Sequence, residues 1–150
     1  MLIGVPKEIK NHEYRIGLTP ASVRELVDRG HTVVVETAGG AEIGFDDEAY
    51  QTAGATIAST AEEIFATADM IVKVKEPQPH ECRQLRKGQL LFTYLHLAAD
   101  SVQAKLLAQS GATCIAYETV TDNSGALPLL APMSEVAGRL SVQAGAYHLQ

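Results

Sequence analysis

The chain alternates short runs of β-branched and aliphatic residues with segments that carry the signals of α-helices. The β-rich runs span residues 3–5, 31–36, 55–58, 70–74, 89–95 and 113–116. Continuous apolar runs such as Val33 to Val35 are typical of strands that are buried on both faces, as parallel sheets require. Five or six strands separated by helices predict an α/β domain with a doubly wound, largely parallel sheet and right-handed crossovers.

The predicted helices begin at residues that can cap them, and two of them end at a glycine. Thr19 is followed by a proline that suits the first turn of a helix, and Gly30 supplies a left-handed stop. A capping-box pattern that starts at Ser59 or Thr60 predicts a helix near residues 60–67, and a further helix begins at Asp100 and ends at Gly111. This order of elements indicates a flavodoxin-like or Rossmann-like sheet, in which ligands bind beyond the carboxyl ends of the strands.

The composition changes after Tyr117, where turn-forming residues and two prolines come before Ser134. Ser134 can cap a long helix that runs towards Gln150 without a stop signal. We therefore predict one domain at residues 1–133 and, at residues 134–150, the start of a helix that links it to a further domain.

Composition limits the classes of partner. The hydrophobic fraction is 46% and the charged fraction 20%, which predicts a packed core, and the net charge of −6 argues against a nucleic-acid or anionic membrane surface. The first residues lack the pattern of a signal peptide, and no apolar run is long enough to cross a bilayer. Cys82 and Cys114 show no metal-ligand spacing and cannot form a disulfide framework, so we expect a soluble protein of the reducing cytoplasm. The negative net charge favours small molecules as its partners.

Three residues with binding or catalytic chemistry follow predicted strands: Arg15, Lys75 and His96. Because the carboxyl ends of parallel strands meet at one rim of the sheet, we expect these residues to share a site. An arginine binds a carboxylate through two parallel hydrogen bonds, a lysine polarises a carbonyl, and a histidine transfers protons near neutral pH. Together they predict a site for a small 2-oxo or 2-amino acid.

Each of these residues also has an ordinary structural explanation. Lys75 fits a solvated charge where a strand leaves the sheet, His96 a hydrogen-bonded core histidine, and Arg15 a surface loop residue. Ser134 fits either a plain helix cap or a contact to a phosphate or ribose at a helix N-terminus. Only the convergence of the first three residues on one rim favours a functional site.

The sequence predicts neither a metal site nor a dinucleotide-binding loop within the chain. Glu42 and the acidic residues at 46–48 fit the solvated start of a helix, since no histidine or further carboxylate has ligand spacing with them. The glycines at 39, 40 and 44 do not form the G-x-G-x-x-G pattern.

At these residues the sequence resembles the family shared by alanine dehydrogenase and the nucleotide-binding subunit of proton-translocating pyridine nucleotide transhydrogenase. The matching stretches, which cover essentially the whole chain, are residues 4–10, 13–20, 73–77, 91–98, 116–119 and 132–139. The Lys-Glu-Pro segment at 75–77 and the Leu-His-Leu segment at 95–97 resemble the alanine dehydrogenase branch, because the transhydrogenase subunits lack this lysine and histidine at the corresponding places.

The resemblance implies a role for each candidate. Arg15 is similar to the residue that binds the substrate carboxylate, and Lys75 to the residue that binds the oxo or amino centre. His96 is similar to the proton donor and acceptor, and Ser134 to a residue that contacts the cofactor NAD. The implied reaction is the reversible oxidative deamination of L-alanine to pyruvate and ammonium. For the complete enzyme, the resemblance implies a cytoplasmic homohexamer.

The chain departs from this family in length, because members of the family are more than twice as long. In those members a Rossmann domain follows the long helix and carries the glycine-rich loop and a catalytic aspartate. We therefore expect little or no turnover from these residues alone. Two alternatives stay open: a transhydrogenase-type nucleotide subunit, and a non-catalytic module that binds a small oxo acid.

Overall fold

The computed structural model describes residues 1–149, which form a six-stranded, fully parallel sheet with helices packed on it. The strands are β1 (Leu2–Val5), β2 (Thr32–Glu36), β3 (Thr56–Ala58), β4 (Met70–Val72), β5 (Leu90–Thr93) and β6 (Thr113–Ala116). The helices are α1 (Pro20–Asp28), α2 (Asp47–Thr52), α3 (Ala61–Thr67), α4 (Pro79–Cys82), α5 (Ser101–Ser110) and α6 (Ala131–His148). Short 3₁₀ turns lie at Ala41–Ile43, Leu97–Ala99 and Tyr117–Thr119.

The strand order is β3-β2-β1-β4-β5-β6, which confirms the doubly wound α/β prediction. It is the Rossmann order, because β1 lies between β2 and β4 and the chain winds outward in opposite directions from that pair. Ile3 pairs with Met70 and Gly4 with Ile71 across the junction. A crevice therefore opens beyond the carboxyl ends of β1 and β4, where such sheets bind ligands.

The alternation of side chains along the strands divides the core into two clusters. In β2, Val33 and Val35 belong to a cluster that contains Val23 of α1 and Tyr50 of α2. Val34 instead packs against the second cluster, to which α3, α4 and α5 contribute. Residues two apart in a strand share a face, so each face of the sheet is covered by its own set of helices.

The helix caps predicted for α1 and α3 are confirmed. The hydroxyl of Thr19 accepts a hydrogen bond from the amide of Ser22, and that of Thr60 accepts one from the amide of Glu63, each at 3.3 Å. Asp46 caps α2, as expected for the solvated start of a helix. These caps satisfy amide donors that the first turn of a helix leaves free.

The last helix begins earlier than the sequence predicts. It starts at Ala131 instead of Ser134, and the amide of Ser134 donates to the carbonyl of Leu130 at 3.1 Å, so Ser134 lies in the first turn and is not the cap. The physical reason is Pro132, because a proline's fixed φ suits the first turn of a helix. The predicted run to Gln150 ends outside the described residues. Among residues 1–149, no helix combines the length and apolar character of a membrane span.

Candidate active site

A cleft of about 250 Å³ lies beyond the carboxyl ends of the central strands. All four predicted site residues contribute to its wall, which consists of Arg15, Lys75, Tyr94, His96, Leu130, Met133, Ser134 and Ala137. The loops after β1, β4 and β5 supply the first four of these, and the first turns of α6 close the opposite side. The fold thus brings together Arg15 and Ser134, which are 119 positions apart in the sequence.

Arg15 is held by its near neighbour Glu13. The Nε atom of Arg15 donates to Oε1 of Glu13 at 2.8 Å, and its Nη2 atom donates to Oε2 at 2.6 Å. These hydrogen bonds lower the pKa of Glu13 below its ordinary value, although partial burial opposes them. The Nη1 atom points towards Met133, 3.7 Å from its sulfur, so the outer edge of the guanidinium faces the cleft.

The backbone of Lys75 is fixed on both sides of its side chain. Its amide donates to Oε1 of Glu8 at 3.3 Å, and its carbonyl accepts a hydrogen bond from the hydroxyl of Thr93 at 2.8 Å. Thr93 lies at the end of β5, so this hydrogen bond fixes the backbone of Lys75 relative to the neighbouring strand. No carboxylate within the described chain forms an ion pair with the Lys75 ammonium, which leaves this cation available to a ligand in the cleft.

His96 has an unusual backbone. Its φ of 50° and ψ of 38° lie in the left-handed region, which a non-glycine residue adopts only when its surroundings hold it there. The carboxylate of Glu118 supplies this restraint, because it accepts hydrogen bonds from the amide of His96 at 2.7 Å and from the amide of Leu95 at 3.2 Å. The imidazole is exposed at the rim of the cleft.

The same hydrogen bonds affect the acidity of Glu118. Partial burial raises the pKa of this carboxyl, but the amides of His96 and Leu95 donate to the charged form and bring the pKa below its ordinary value. Glu118 is therefore a carboxylate at neutral pH, and its charge lies directly beneath the backbone that presents His96.

Tyr94 joins the sheet to the far wall of the cleft. Its hydroxyl donates to the carbonyl of Leu129 at 2.6 Å, just before α6. Its ring stacks on the imidazole of His96 with 6.0 Å between centroids and 13° between planes, and it meets the ring of Tyr117 edge-on at 5.0 Å. Burial raises the pKa of Tyr94, so the hydroxyl keeps its proton and remains a donor.

Ser134 reaches the cleft from the first turn of α6, where its side chain is exposed. It lies on the wall opposite the strand ends, beside Met133.

Sequence reasoning missed the residues that hold the candidates in place, among them Glu13, Glu118 and Tyr94. For Glu13, the signal was its position two residues before Arg15, where a carboxylate can reach the guanidinium. Tyr94 stands two residues before His96, at the end of a strand. Glu118 had no local signal, because 22 residues separate it from His96.

The arrangement suits one type of small molecule. A guanidinium edge, an ammonium and an imidazole surround a cleft that holds a few heavy atoms, and apolar contacts from Leu130 and Met133 fill the remaining wall. The cations match a carboxylate and an adjacent polar centre, while the apolar contacts favour a short aliphatic side chain. No group of three or more His, Cys, Asp or Glu side chains suited to a metal ion was found between Met1 and Leu149.

Comparison with known proteins identifies the family of the chain. Residues 4–137 match the model described as "Alanine dehydrogenase/PNT, N-terminal domain". The chain is 57% identical over 150 residues to an alanine dehydrogenase of Halomonas elongata and 52% identical over 149 residues to that of Mycobacterium tuberculosis. It spans 40% of the length of each of these relatives.

Solved structures agree with the sequence comparison. An L-alanine dehydrogenase superposes with a TM-score of 0.91 and 55% identity, over 98% of this chain and 40% of that one. A transhydrogenase from Sinorhizobium meliloti superposes with a TM-score of 0.74 and 30% identity, over 79% of this chain and 35% of that one. Both solved chains are thus much longer than these 150 residues.

Proposed function

Because the chain belongs to the alanine dehydrogenase/PNT N-terminal domain family, we propose that it forms the substrate-binding part of an NAD-dependent alanine dehydrogenase. In this proposal residues 1–133 form the N-terminal portion of the substrate domain, and residues 134–150 begin the helix that leads to a nucleotide-binding domain. The reaction is the reversible oxidative deamination of L-alanine to pyruvate and ammonium. The observation that carries the proposal is the single cleft shared by Arg15, Lys75 and His96.

Arg15 binds the carboxylate of the substrate. Glu13 occupies the edge of the guanidinium formed by Nε and one N–H of Nη2. The substrate carboxylate therefore approaches the outer edge, which is formed by Nη1 and the second N–H of Nη2. Two parallel hydrogen bonds to this edge fix the orientation of the substrate, and the guanidinium balances its negative charge. Because Glu13 prevents rotation of the guanidinium, little entropy is lost when the substrate binds.

Lys75 binds the oxygen or nitrogen on the substrate Cα. Its ammonium donates to the carbonyl oxygen of pyruvate and stabilises the negative charge that develops there when the carbonyl carbon is attacked by ammonia. In the opposite direction it stabilises the alcohol oxygen of the carbinolamine, which forms when water adds to the imine.

His96 transfers protons at the same centre. A neutral imidazole accepts a proton from the water that attacks the imine, and the resulting imidazolium returns a proton to the departing ammonia. Stacking on Tyr94 and the strained backbone held by Glu118 restrict the ring to one direction. The imidazole therefore reaches the substrate without a conformational search.

NAD supplies the acceptor for the hydride that leaves Cα of L-alanine. Within the described chain, Ser134 fits a contact with this cofactor from the substrate-domain side, because its exposed side chain lines the same cleft as the substrate-binding cations. We further propose that the complete protein is a cytoplasmic homohexamer. The exposed apolar side chains along α6, including Val136 and Leu140, support its packing against further protein.

A chimera tests the proposal directly. Residues 1–150 of this chain replace the matching segment of the Halomonas elongata alanine dehydrogenase, so that a known nucleotide-binding part is joined to the cleft described above. We expect NADH formation from L-alanine and NADH consumption with pyruvate and ammonium. We also expect residues 1–150 alone to show little or no turnover.

Two other outcomes would replace this function with another one. A folded chimera that binds pyruvate without turnover indicates a non-catalytic oxo-acid module. Hydride exchange between two nucleotides without dependence on L-alanine indicates a transhydrogenase-type subunit, which the similarity to the Sinorhizobium meliloti structure makes the main competitor.

A further inference from the structure

Three charged side chains lie buried below the cleft. Lys73, at the end of β4, is 0% exposed, and its Nζ atom lies 3.0 Å from Oε2 of Glu8 and 2.9 Å from Oε1 of Glu81. The side chains of these two carboxylates are 1% and 2% exposed. We call Glu8, Lys73 and Glu81 the buried triad.

The second oxygen of each carboxylate binds the backbone of one loop. Oε1 of Glu8 accepts hydrogen bonds from the amide of Val74 at 2.6 Å and from the amide of Lys75 at 3.3 Å. Oε2 of Glu81 accepts a hydrogen bond from the amide of Gln78 at 2.7 Å. The buried triad therefore anchors both ends of the segment 74–78, which carries Lys75 into the cleft.

A buried ionic cluster needs an explanation beyond stability. Removing charges from water costs free energy that their attraction regains only when the geometry is good, and apolar side chains of similar volume are often as stabilising. Burial by itself would lower the pKa of Lys73, but the carboxylates of Glu81 and Glu8 raise it above its ordinary value. The ammonium is thus charged and joins two carboxylates whose remaining oxygens all point at backbone amides.

The short contacts between the buried triad and the backbone of residues 74–78 fit a role in positioning that segment better than a role in filling the core. Glu8 comes from the loop after β1 and Glu81 from α4, so the buried triad ties together the two sides of the crevice at the switch in strand order. Apolar side chains could fill the same volume as the buried triad. They could not accept hydrogen bonds from the amides of Val74 and Lys75.

We propose that Glu8, held in place by Lys73, is a positioning residue that fixes the backbone of Lys75 and thereby aims the Lys75 ammonium at the polar centre of the substrate. This inference rests on the proposed function, since it needs Lys75 to bind substrate. Glu8 itself does not touch the substrate. It acts through Lys75, whose carbonyl is fixed independently by Thr93.

A double-mutant cycle in the chimera tests this role. The variants are Glu8→Gln, Lys75→Met and the two combined, and the quantity measured is the dissociation constant for pyruvate. With Lys75 present, we expect Glu8→Gln to weaken binding about tenfold, because small misplacement of a binding group has large effects. With Lys75→Met already in place, we expect Glu8→Gln to change binding less than about twofold. Equal weakening in both backgrounds would overturn the proposal.

Two matched variants separate positioning from a loss of stability. Glu81→Gln disturbs the buried triad but leaves Glu8 bonded to Val74 and Lys75, so we expect it to lower the unfolding temperature while pyruvate affinity is retained. Glu25→Gln removes an exposed carboxylate that lies 3.4 Å from Arg29 and does not line the cleft, and it should change neither quantity. If Glu81→Gln and Glu8→Gln weaken pyruvate binding equally, the buried triad is only structural.

Amide hydrogen exchange keeps the inference testable if the parent chimera binds no pyruvate, which would count against the proposed function. We expect Glu8→Gln to speed exchange in residues 73–78 while exchange in β2 is unchanged. Unchanged exchange in residues 73–78 would overturn the positioning role. If Glu8→Gln does not fold, Glu8→Asp takes its place in the same cycle, because it keeps the charge beside Lys73 but shortens the side chain and draws its oxygens away from the amides of Val74 and Lys75. We expect the same pattern: weaker pyruvate binding with Lys75 present and little change with Lys75→Met in place.

Discussion

The carboxylate of Glu13 binds the guanidinium of Arg15 along one edge, with 2.8 Å between Oε1 and Nε and 2.6 Å between Oε2 and Nη2. The side chain of Glu13 is 7% exposed and that of Arg15 is 41% exposed, so the pair is anchored on its carboxylate side and open on its cation side. A second carboxylate can therefore bind Arg15 without displacing the first. In the proposed function, this geometry presents a fixed guanidinium edge to the substrate carboxylate.

Replacing Glu13 tests that conclusion. In Glu13→Gln the hydrogen bonds lose their charge assistance and one of them is lost, so we expect the guanidinium to reorient. The KM for L-alanine should rise about tenfold, because a charge-assisted hydrogen bond contributes roughly 1.5–3 kcal/mol and part of that is screened by solvent. The maximal rate should change much less. Steady-state kinetics of the chimera measure both, with Glu25→Gln as the control, and an unchanged KM would contradict this role of the geometry.

The carboxylate beneath His96 gives the protein a predictable response to acid. The folded-state pKa of Glu118 is below its ordinary value of 4.5. The unfolded state therefore takes up the proton first, and the contribution of Glu118 to stability is present above pH 4.5 and is lost as the pH falls through the folded-state pKa. In Glu118→Gln this part of the pH dependence should disappear. Unfolding by urea across the acidic range measures it, and identical pH dependence in the two proteins would contradict the account.

Gly17 lies where the loop after β1 touches the end of β4. A Cβ atom added at Gly17 would meet the carbonyl oxygen of Val72 at 2.5 Å, which the backbone of β4 cannot easily avoid. We expect Gly17→Ala to destabilise the fold by about 1–3 kcal/mol, as overpacking does, and to raise the KM by moving Arg15. Gly138→Ala is the matched control, because a Cβ there meets nothing within 4 Å and alanine favours the helix. Equal stability of the two variants would show that the contact is not tight.

The sheet could be predicted because its determinants are local. The apolar run at Val33 to Val35 and the caps at Thr19 and Thr60 identify their elements without reference to the rest of the chain. The predicted start of α6 is wrong by three residues. Pro132 follows turn-forming residues in the sequence, but in the structure it lies in the first turn of the helix.

The site could be predicted only in part. Arg15, Lys75 and His96 have chemistry that is visible in their residue types and in their places after strands, and the structure lines one cleft with them. Their supports have no such signal. Glu8 is 65 residues from Lys73, and Glu118 is 22 residues from His96, so only the folded chain shows these pairings.

The central claim is that this cleft binds the reacting end of L-alanine, and Lys75→Met in the chimera tests it most directly. The substitution keeps an unbranched side chain that is one atom shorter and removes its charge. NADH formation from L-alanine should fall at least about 100-fold, because a charged group that stabilises the reacting centre is lost, while the unfolding temperature changes little. A rate of NADH formation within about twofold of the parent, in a folded protein, would contradict the claim.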